Sequence, residues 1–234
     1  MKISIIGTGY VGLVSGVCLA SKGHDVTCVD VMQEKVDKIN RGEATIYEAG
    51  LEDLLKGLIG KRLRATTAFE GAVMNSELSL IAVGTPFDGE QIDLTYIRAV
   101  AEQIGAVLKR KRGYHTVIVK STVVPGTTEE VVLPILEAVS GKKAGVDFGV
   151  GMNPEFLKEG EAIKDFMQPD RIVLGGIDER SINTLEAVYA AFSETDKIRT
   201  SPRTAEMIKY TANSLLATLI SFSNEIGNLC ASLK

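Results

Sequence analysis

The sequence has little of what would place a chain outside a reducing, aqueous compartment or on a polyanion. Three cysteines occur, Cys18, Cys28 and Cys230, without CxxC spacing and too few to pair completely, so no disulfide frame is expected. No apolar stretch approaches the ~20 residues that span a bilayer. The opening MKISIIGTG breaks its short apolar run at glycine, as a buried strand does and a signal peptide does not. Neither sign of charge dominates. Lys plus Arg number 26 and Asp plus Glu 30, and a net charge of −4 gives no general reason to bind nucleic acid or an anionic membrane. The one basic run, Lys109–Arg112, lies between an amphipathic segment and a strand-like one and reads as a solvated helix end. Internal repeats, low-complexity segments and a metal site are not expected either. What is present is a hydrophobic fraction of 45% and a charged fraction of 24%, enough to bury a real core. The expectation is a reduced cytoplasmic protein of one large domain with an extension, divided as residues 1–200 and 201–234.

Short β-branched runs alternate with longer segments of helical period. Strands are predicted at Lys2–Ile6, Asp25–Asp30, Leu78–Val83, Thr116–Lys120, Phe148–Met152 and Arg171–Leu174. Helices are predicted near Val11–Lys22, Gln33–Arg41, Tyr96–Lys109, Thr128–Val139 and Arg180–Phe192. Alternation of this kind implies an α/β fold: a Rossmann-like, doubly wound, mostly parallel sheet covered on both faces. Such sheets bind ligands outside the carboxyl ends of their strands. The unusual residues fall at those ends: Gly7-Thr8-Gly9, Asp30, Gly84-Thr85-Pro86, Ser121-Thr122 and Asn153-Pro154-Glu155.

From Pro202 the chain changes character. No glycine or proline follows until Gly227, and Ile208, Leu215, Leu219, Phe222, Ile226, Leu229 and Leu233 step mostly by four and three. One long helix is expected, with Ser201 as N-cap and Pro202 in its first turn. A seam of this length needs a partner surface. Packing on its own domain is one solution; a second domain or a second subunit is the favoured one.

Gly7-Thr8-Gly9-Tyr10-Val11-Gly12 fits GxGxxG directly after a strand and before a helix. The first glycine permits the tight turn, the second lets backbone approach a pyrophosphate, and the third lets helix and strand pack closely. The helix start offers unpaired N–H groups and partial positive charge to the phosphates. Alone the motif is weak. Here it is joined by Asp30 at the end of the next strand, near the ~20-residue offset of an acid that binds ribose hydroxyls. That carboxylate repels a 2′-phosphate, and Val31, Met32 and Gln33 supply no arginine to receive one, so NAD is preferred over NADP. Lys35 is the nearest cation, within reach of a phosphate or the adenosine, with a solvated helix lysine as the competing role. Cofactor-binding candidates are thus Gly7, Gly9, Tyr10, Val11, Gly12, Asp30 and Lys35, with Gly84 and Thr85 at the next strand end.

Six ordered segments resemble the UDP-glucose/GDP-mannose dehydrogenase family and run through nearly the whole chain. They are Gly7–Leu13 (GTGYVGL), Val83–Pro86 (VGTP), Ser121–Thr127 (STVVPGT), Asn153–Gly160 (NPEFLKEG), Pro169–Val173 (PDRIV) and Glu206–Asn213 (EMIKYTAN). The resemblance implies oxidation of a nucleotide sugar's primary alcohol to a carboxylate by two hydride transfers to NAD, through a thiohemiacetal on a cysteine. It implies that Thr122 contacts a water or the nicotinamide side of the site, although capping of the Val123–Pro125 turn competes. It places Glu155 at the border of cofactor and substrate and gives Glu159 the handling of a water. The spacing of four puts these two acids on one face if the segment is helical. Lys209 becomes a stabiliser of the developing alkoxide and Asn213 its hydrogen-bond partner, again four apart on one helix face.

One departure stands out. The family's nucleophile lies in a GxCxxKD-like segment well after the long helix, and none of the three cysteines has that context. The expectation is a fragment that binds NAD with little turnover, from a whole protein that dimerises through the long helix. Its substrate is taken as UDP-glucose, because PDRIV looks like that branch, with GDP-mannose as the alternative. Two further readings stay open: a stand-alone NAD-binding module without turnover, and a dehydrogenase of the hydroxyacid or acyl-CoA type.

Overall fold

All six predicted strands form, and two more join them at the edges of one sheet. The computed structural model describes residues 1–233. Its strands are β1 (Lys2–Ile6), β2 (Asp25–Val29), β3 (Leu63–Thr66), β4 (Leu78–Ile81), β5 (Thr116–Val119), β6 (Gly149–Met152), β7 (Arg171–Gly176) and β8 (Asp196–Thr200). They lie in the order β3-β2-β1-β4-β5-β6-β7-β8. Neighbours are parallel except that β7 runs against β6. The two strands that the sequence reading missed are both edges. In β3 only Leu63 and Ala65 are buried, and β8 (DKIRT) is largely solvated, so neither has the apolar run that marks a central strand.

Successive strand residues point to opposite faces, and each face has its own core. Ile3 and Ile5 join α1 (Tyr10–Ser21), α2 (Gln33–Asn40) and α3 (Leu51–Leu58) in one cluster. Ile6, Ile81, Val117 and Val119 join α4 (Phe69–Met74), α5 (Thr95–Arg110) and α6 (Leu133–Ser140) in the other. On the first face α7 (Ala162–Met167) and α8 (Glu179–Val188) complete the layer. Helices α3, α4 and α7 were not predicted; at six to eight residues they fall below the window in which periodicity is legible. The predicted helix near residues 128–139 is broken into a π-helical turn, Thr128–Val132, followed by α6. Pro134 stands at the junction and has no N–H to continue the α-type ladder.

The amino ends of β1, β4 and β5 enclose a polar cluster. Ser4 Oγ lies 2.7 Å from Ser79 Oγ, and Ser79 Oγ lies 2.8 Å from His115 Nε2. His115 Nδ1 meets the Ser76 carbonyl at 3.2 Å, so Nδ1 carries the proton and Nε2 accepts from Ser79. Lys111 Nζ donates to the carbonyls of Val73, Met74 and Ser76 at 2.9, 2.7 and 2.6 Å, closing the end of α4. Every one of these polar side chains has a partner.

The long helix is present as α9 (Pro202–Ser232), capped at Ser201, whose Oγ accepts from Thr204 N at 3.2 Å. Its first turns lie on β6 and β7. A Cβ on Gly175 would come within 2.8 Å of Ala205 Cβ, so glycine in β7 is what lets the helix approach so closely. Pro202, Ala205, Glu206 and Lys209 are its buried residues, and beyond them Leu215, Leu219, Phe222 and Ile226 stand exposed. Among the described residues no helix is long and apolar enough to cross a membrane.

Candidate functional site

Between β1 and β4 the strand order reverses, and at such a switch point the loops leaving the carboxyl ends diverge to form a crevice. The glycine-rich turn fills one side of it. Gly7 has φ +99°, and a Cβ there would lie 2.6 Å from the Ala82 carbonyl oxygen. A Cβ on Gly12 would lie 2.0 Å from the Gly7 oxygen, so Gly12 is demanded by helix–turn packing. Gly9 differs: nothing comes within 4 Å of its added Cβ, leaving open space over the backbone. As N-cap of α1, Gly9 carries no capping side chain, and no acid sits in the first turn. The N–H groups of Tyr10 and Val11 are thereby left for an anion.

Asp30 is the first residue past β2 rather than its last, and it faces this turn. Its Oδ2 accepts from Thr8 N at 3.0 Å and from Thr8 Oγ1 at 2.5 Å, while Oδ1 accepts from Met32 N at 3.0 Å. Burial pushes its carboxyl up, but the bonds from Thr8 and Met32 and the Lys35 ammonium outweigh that and hold it below the usual range. Lys35 leans toward Asp30 at 3.9 Å, so it is neither free in solvent nor in close ionic contact. Open space at Gly9, uncapped N–H groups, an ionised acceptor and no cation at residues 31–33 fit NAD.

The exits of β4 and β5 are tied to one another. Thr85 Oγ1 donates to the Thr122 carbonyl at 2.7 Å, and Ser121 Oγ donates to the Val83 carbonyl at 2.7 Å. Gly84 has open space beside it. Thr122 is half-buried; the turn beyond it is closed by Thr127, which donates to the Val124 carbonyl at 2.6 Å. Below this loop Glu206 of α9 is fully buried. It accepts from Gly126 N at 2.6 Å and from Thr128 N and Oγ1 at 2.8 and 2.6 Å. Burial raises its carboxyl, and those bonds offset only part of the shift.

A cleft of about 560 Å³ opens beyond β6 against α9 and α7. Lys209 Nζ lies 2.7 Å from Glu155 Oε1, with both side chains nearly buried, and Asn213 lines the same cleft one turn further along. Lysine at position 209 is therefore not a solvated helix lysine. Lys120, at the end of β5, is also buried there and donates to Asn153 Oδ1 at 2.9 Å. Tyr189 donates to the same oxygen, and Asn153 Nδ2 donates to the Val173 carbonyl at 2.9 Å. Burial pushes the Lys120 ammonium down to about 8, with Lys209 lowering it further and Glu155 opposing.

Contrary to the expectation from their spacing, Glu155 and Glu159 do not share a helix face. Residues 153–158 have no regular secondary structure and 159–161 form a turn, with Pro154 and Gly160 (φ +89°) interrupting any helical path. Glu155 points at Lys209, whereas Glu159 is exposed and outside the cleft. The structure thus gathers Glu155, Lys209 and Asn213 at the cleft, and holds the turn, Asp30, Gly84 and Thr85 at the crevice beyond β1 and β4. Sequence reasoning missed Lys120, Tyr189 and Glu48, and named Asn153 and Glu206 only as members of strand-end or matched segments. For Lys120 a lysine ending an apolar strand was the signal; for Glu48, in a loop, there was none. Cys18 and Cys28 are buried, with thiols pushed up to about 12 by burial, and Cys230 sits exposed on α9.

Comparison with known proteins places this geometry. The profile of the UDP-glucose/GDP-mannose dehydrogenase family, NAD binding domain, matches residues 1–193, and that of the family's central domain matches residues 203–234. GDP-mannose 6-dehydrogenase of Pseudomonas syringae pv. tomato is 50% identical over 98% of this chain and 52% of its own length. UDP-glucose 6-dehydrogenase of Haloferax volcanii is 42% identical over 98% of this chain and 54% of its own. A crystal structure of a ternary complex of GDP-mannose dehydrogenase from Pseudomonas aeruginosa superposes with a TM-score of 0.94 at 49% identity, covering 97% of this chain and 52% of that one. The chain spans about half the length of the relatives it matches.

Proposed function

The chain belongs to the UDP-glucose/GDP-mannose dehydrogenase family, with NAD as its cofactor, and we propose that the whole protein oxidises the C6 alcohol of a nucleotide sugar to the carboxylate. The observation that carries this is the buried Lys209–Glu155 pair, brought from α9 and the β6 exit to the mouth of one cleft. NAD, when bound, supplies the hydride acceptor. Lys209 then presents a fixed positive charge to a substrate oxygen, and a preorganised charge in a dry site lowers such barriers by several kcal/mol. Glu155 keeps that ammonium in place and is itself held by Leu157 N, which donates to its Oε2 at 2.6 Å. Asn213 adds a donor and acceptor on the same wall, Thr122 borders the cofactor side, and Glu159, exposed between the cleft-lining Lys158 and Glu161, is the acid assigned to a water. The covalent step belongs to a cysteine other than these three.

Between substrates, the reading of PDRIV favoured UDP-glucose. Identity weighs the other way, 49–50% to GDP-mannose 6-dehydrogenases against 42–44% to UDP-glucose 6-dehydrogenases, and we place GDP-mannose first. The exposed seam Leu215, Leu219, Phe222 and Ile226 on α9 supports a homodimer of the whole protein through this helix. The test is an assay of the whole protein with GDP-mannose and UDP-glucose, followed by NADH absorbance. Turnover of neither removes the assignment.

A further inference from the structure

Glu48 lies in the connection between α2 and α3, outside every motif that marks the site, yet its side chain is almost completely buried. Its carboxylate gathers three segments of chain. Oε2 accepts from the Tyr10 hydroxyl and from Gly160 N at 2.9 Å, and Oε1 accepts from Ala162 N at 2.9 Å. Tyr10 is the first helical residue after the glycine-rich turn. Gly160 and Ala162 close the loop that begins at Asn153 and carries Glu155. The Tyr10 hydroxyl also lies 3.3 Å from the Lys158 carbonyl. Burial works against a charge on Glu48, but the Tyr10, Gly160 and Ala162 donors prevail and hold the carboxyl below its ordinary value. The same burial, with the Glu48 carboxylate, pushes the Tyr10 phenol up, so the proton stays on the tyrosine.

A carboxylate that accepts from three donors on separate segments is a tight joint, since pulling one segment away breaks charge-assisted hydrogen bonds. This joint has no other ligand to serve: its donors are the dinucleotide turn on one side and the acid-bearing loop on the other. We propose that Glu48 is a positioning residue that couples occupancy of the glycine-rich turn to the placement of the loop carrying Glu155. The proposal rests on the NAD reading of that turn given above. When a dinucleotide anchors α1, the Tyr10 phenol holds Glu48, and Glu48 holds the amides of Gly160 and Ala162. Loop opening then has to break contacts that the ligand has stabilised.

The experiment is amide hydrogen exchange on this chain, free and saturated with NAD, in three forms: native, Tyr10→Phe and Glu48→Gln. Tyr10→Phe keeps the ring and leaves Glu48 on Gly160 and Ala162, so it cuts the turn's bonds to Glu48 and to the Lys158 carbonyl alone. In the native chain, NAD is expected to slow exchange at Gly160 and Ala162 by about tenfold, along with Val11 and Leu13 in α1. In Tyr10→Phe the loop amides should exchange at the native rate without ligand and gain no protection from NAD. Glu48→Gln should speed their exchange without ligand and likewise abolish the gain. A purely structural Glu48 predicts an unchanged NAD-dependent gain in Tyr10→Phe, and that result overturns the proposal. NAD protection of α1 without protection of Gly160 and Ala162 overturns it as well while leaving the NAD reading intact. No NAD protection anywhere overturns both.

Discussion

The two ends of the central strands both bury lysine, hydroxyl and carbonyl groups, yet they are built to different purposes. At the amino end, Lys111 closes three carbonyls and His115 sits neutral between Ser79 and Ser76, so each polar group of that cluster is matched by another. At the carboxyl end, Lys209, Lys120 and Glu155 put two cations and one carboxylate around a cleft of about 560 Å³, and the α1 N–H groups face a crevice without a cap. Buried polarity alone therefore does not mark a site. Groups that are held in place and still left facing empty space do.

The sharpest break in this comparison comes from removing the lysine at each end. In the whole protein, Lys209→Met should lower kcat by roughly 10²–10³, about 2.7–4 kcal/mol, with little change in KM for NAD. Steady-state kinetics read this directly, and an unchanged kcat would remove Lys209 from the chemistry. Lys111→Met should do the opposite, costing about 2–3 kcal/mol in denaturant unfolding of this chain because three carbonyls lose a charged donor. NAD affinity measured by calorimetry should stay the same; a large loss would mean that the two ends are not separable.

Acid tests the same contrast at the amino end, one pH unit at a time. Burial, and next the Lys111 charge, push His115 down to about 3 from its ordinary value near 6.5. A depressed folded pKa means that only the unfolded chain takes the proton between those values. Stability should therefore be intact above pH ~6.5 and fall by about 1.4 kcal/mol per unit below it, levelling near pH 3. Urea unfolding of native protein against His115→Asn across that range checks it. Equal slopes would mean that His115 is not buried neutral.

How much of this was legible follows the same division. The turn and its acid are a local pattern, a strand, three glycines and a carboxylate at a fixed offset, and sequence spacing carries them whole. The central strands were legible for the same reason: continuous β-branched runs have no other comfortable place. The cleft is assembled from β5, the β6 exit and α9, so Lys120, Asn153 and Lys209 meet only through the fold. Family resemblance pointed at Lys209 and Glu155, but the helical spacing assumed for Glu155 and Glu159 failed at Pro154 and Gly160. Edge strands β3 and β8 were invisible because their exposed residues carry no apolar signal.

Asp30 meets a ribose at the glycine-rich turn only if NADP is disfavoured there, and a calorimetric titration of this chain with NAD and NADP tests it. NAD should bind at least about tenfold more tightly than NADP, a gap of about 1.4 kcal/mol that shrinks in Asp30→Asn. NADP binding as tightly as NAD, or a gap untouched by that substitution, would contradict it.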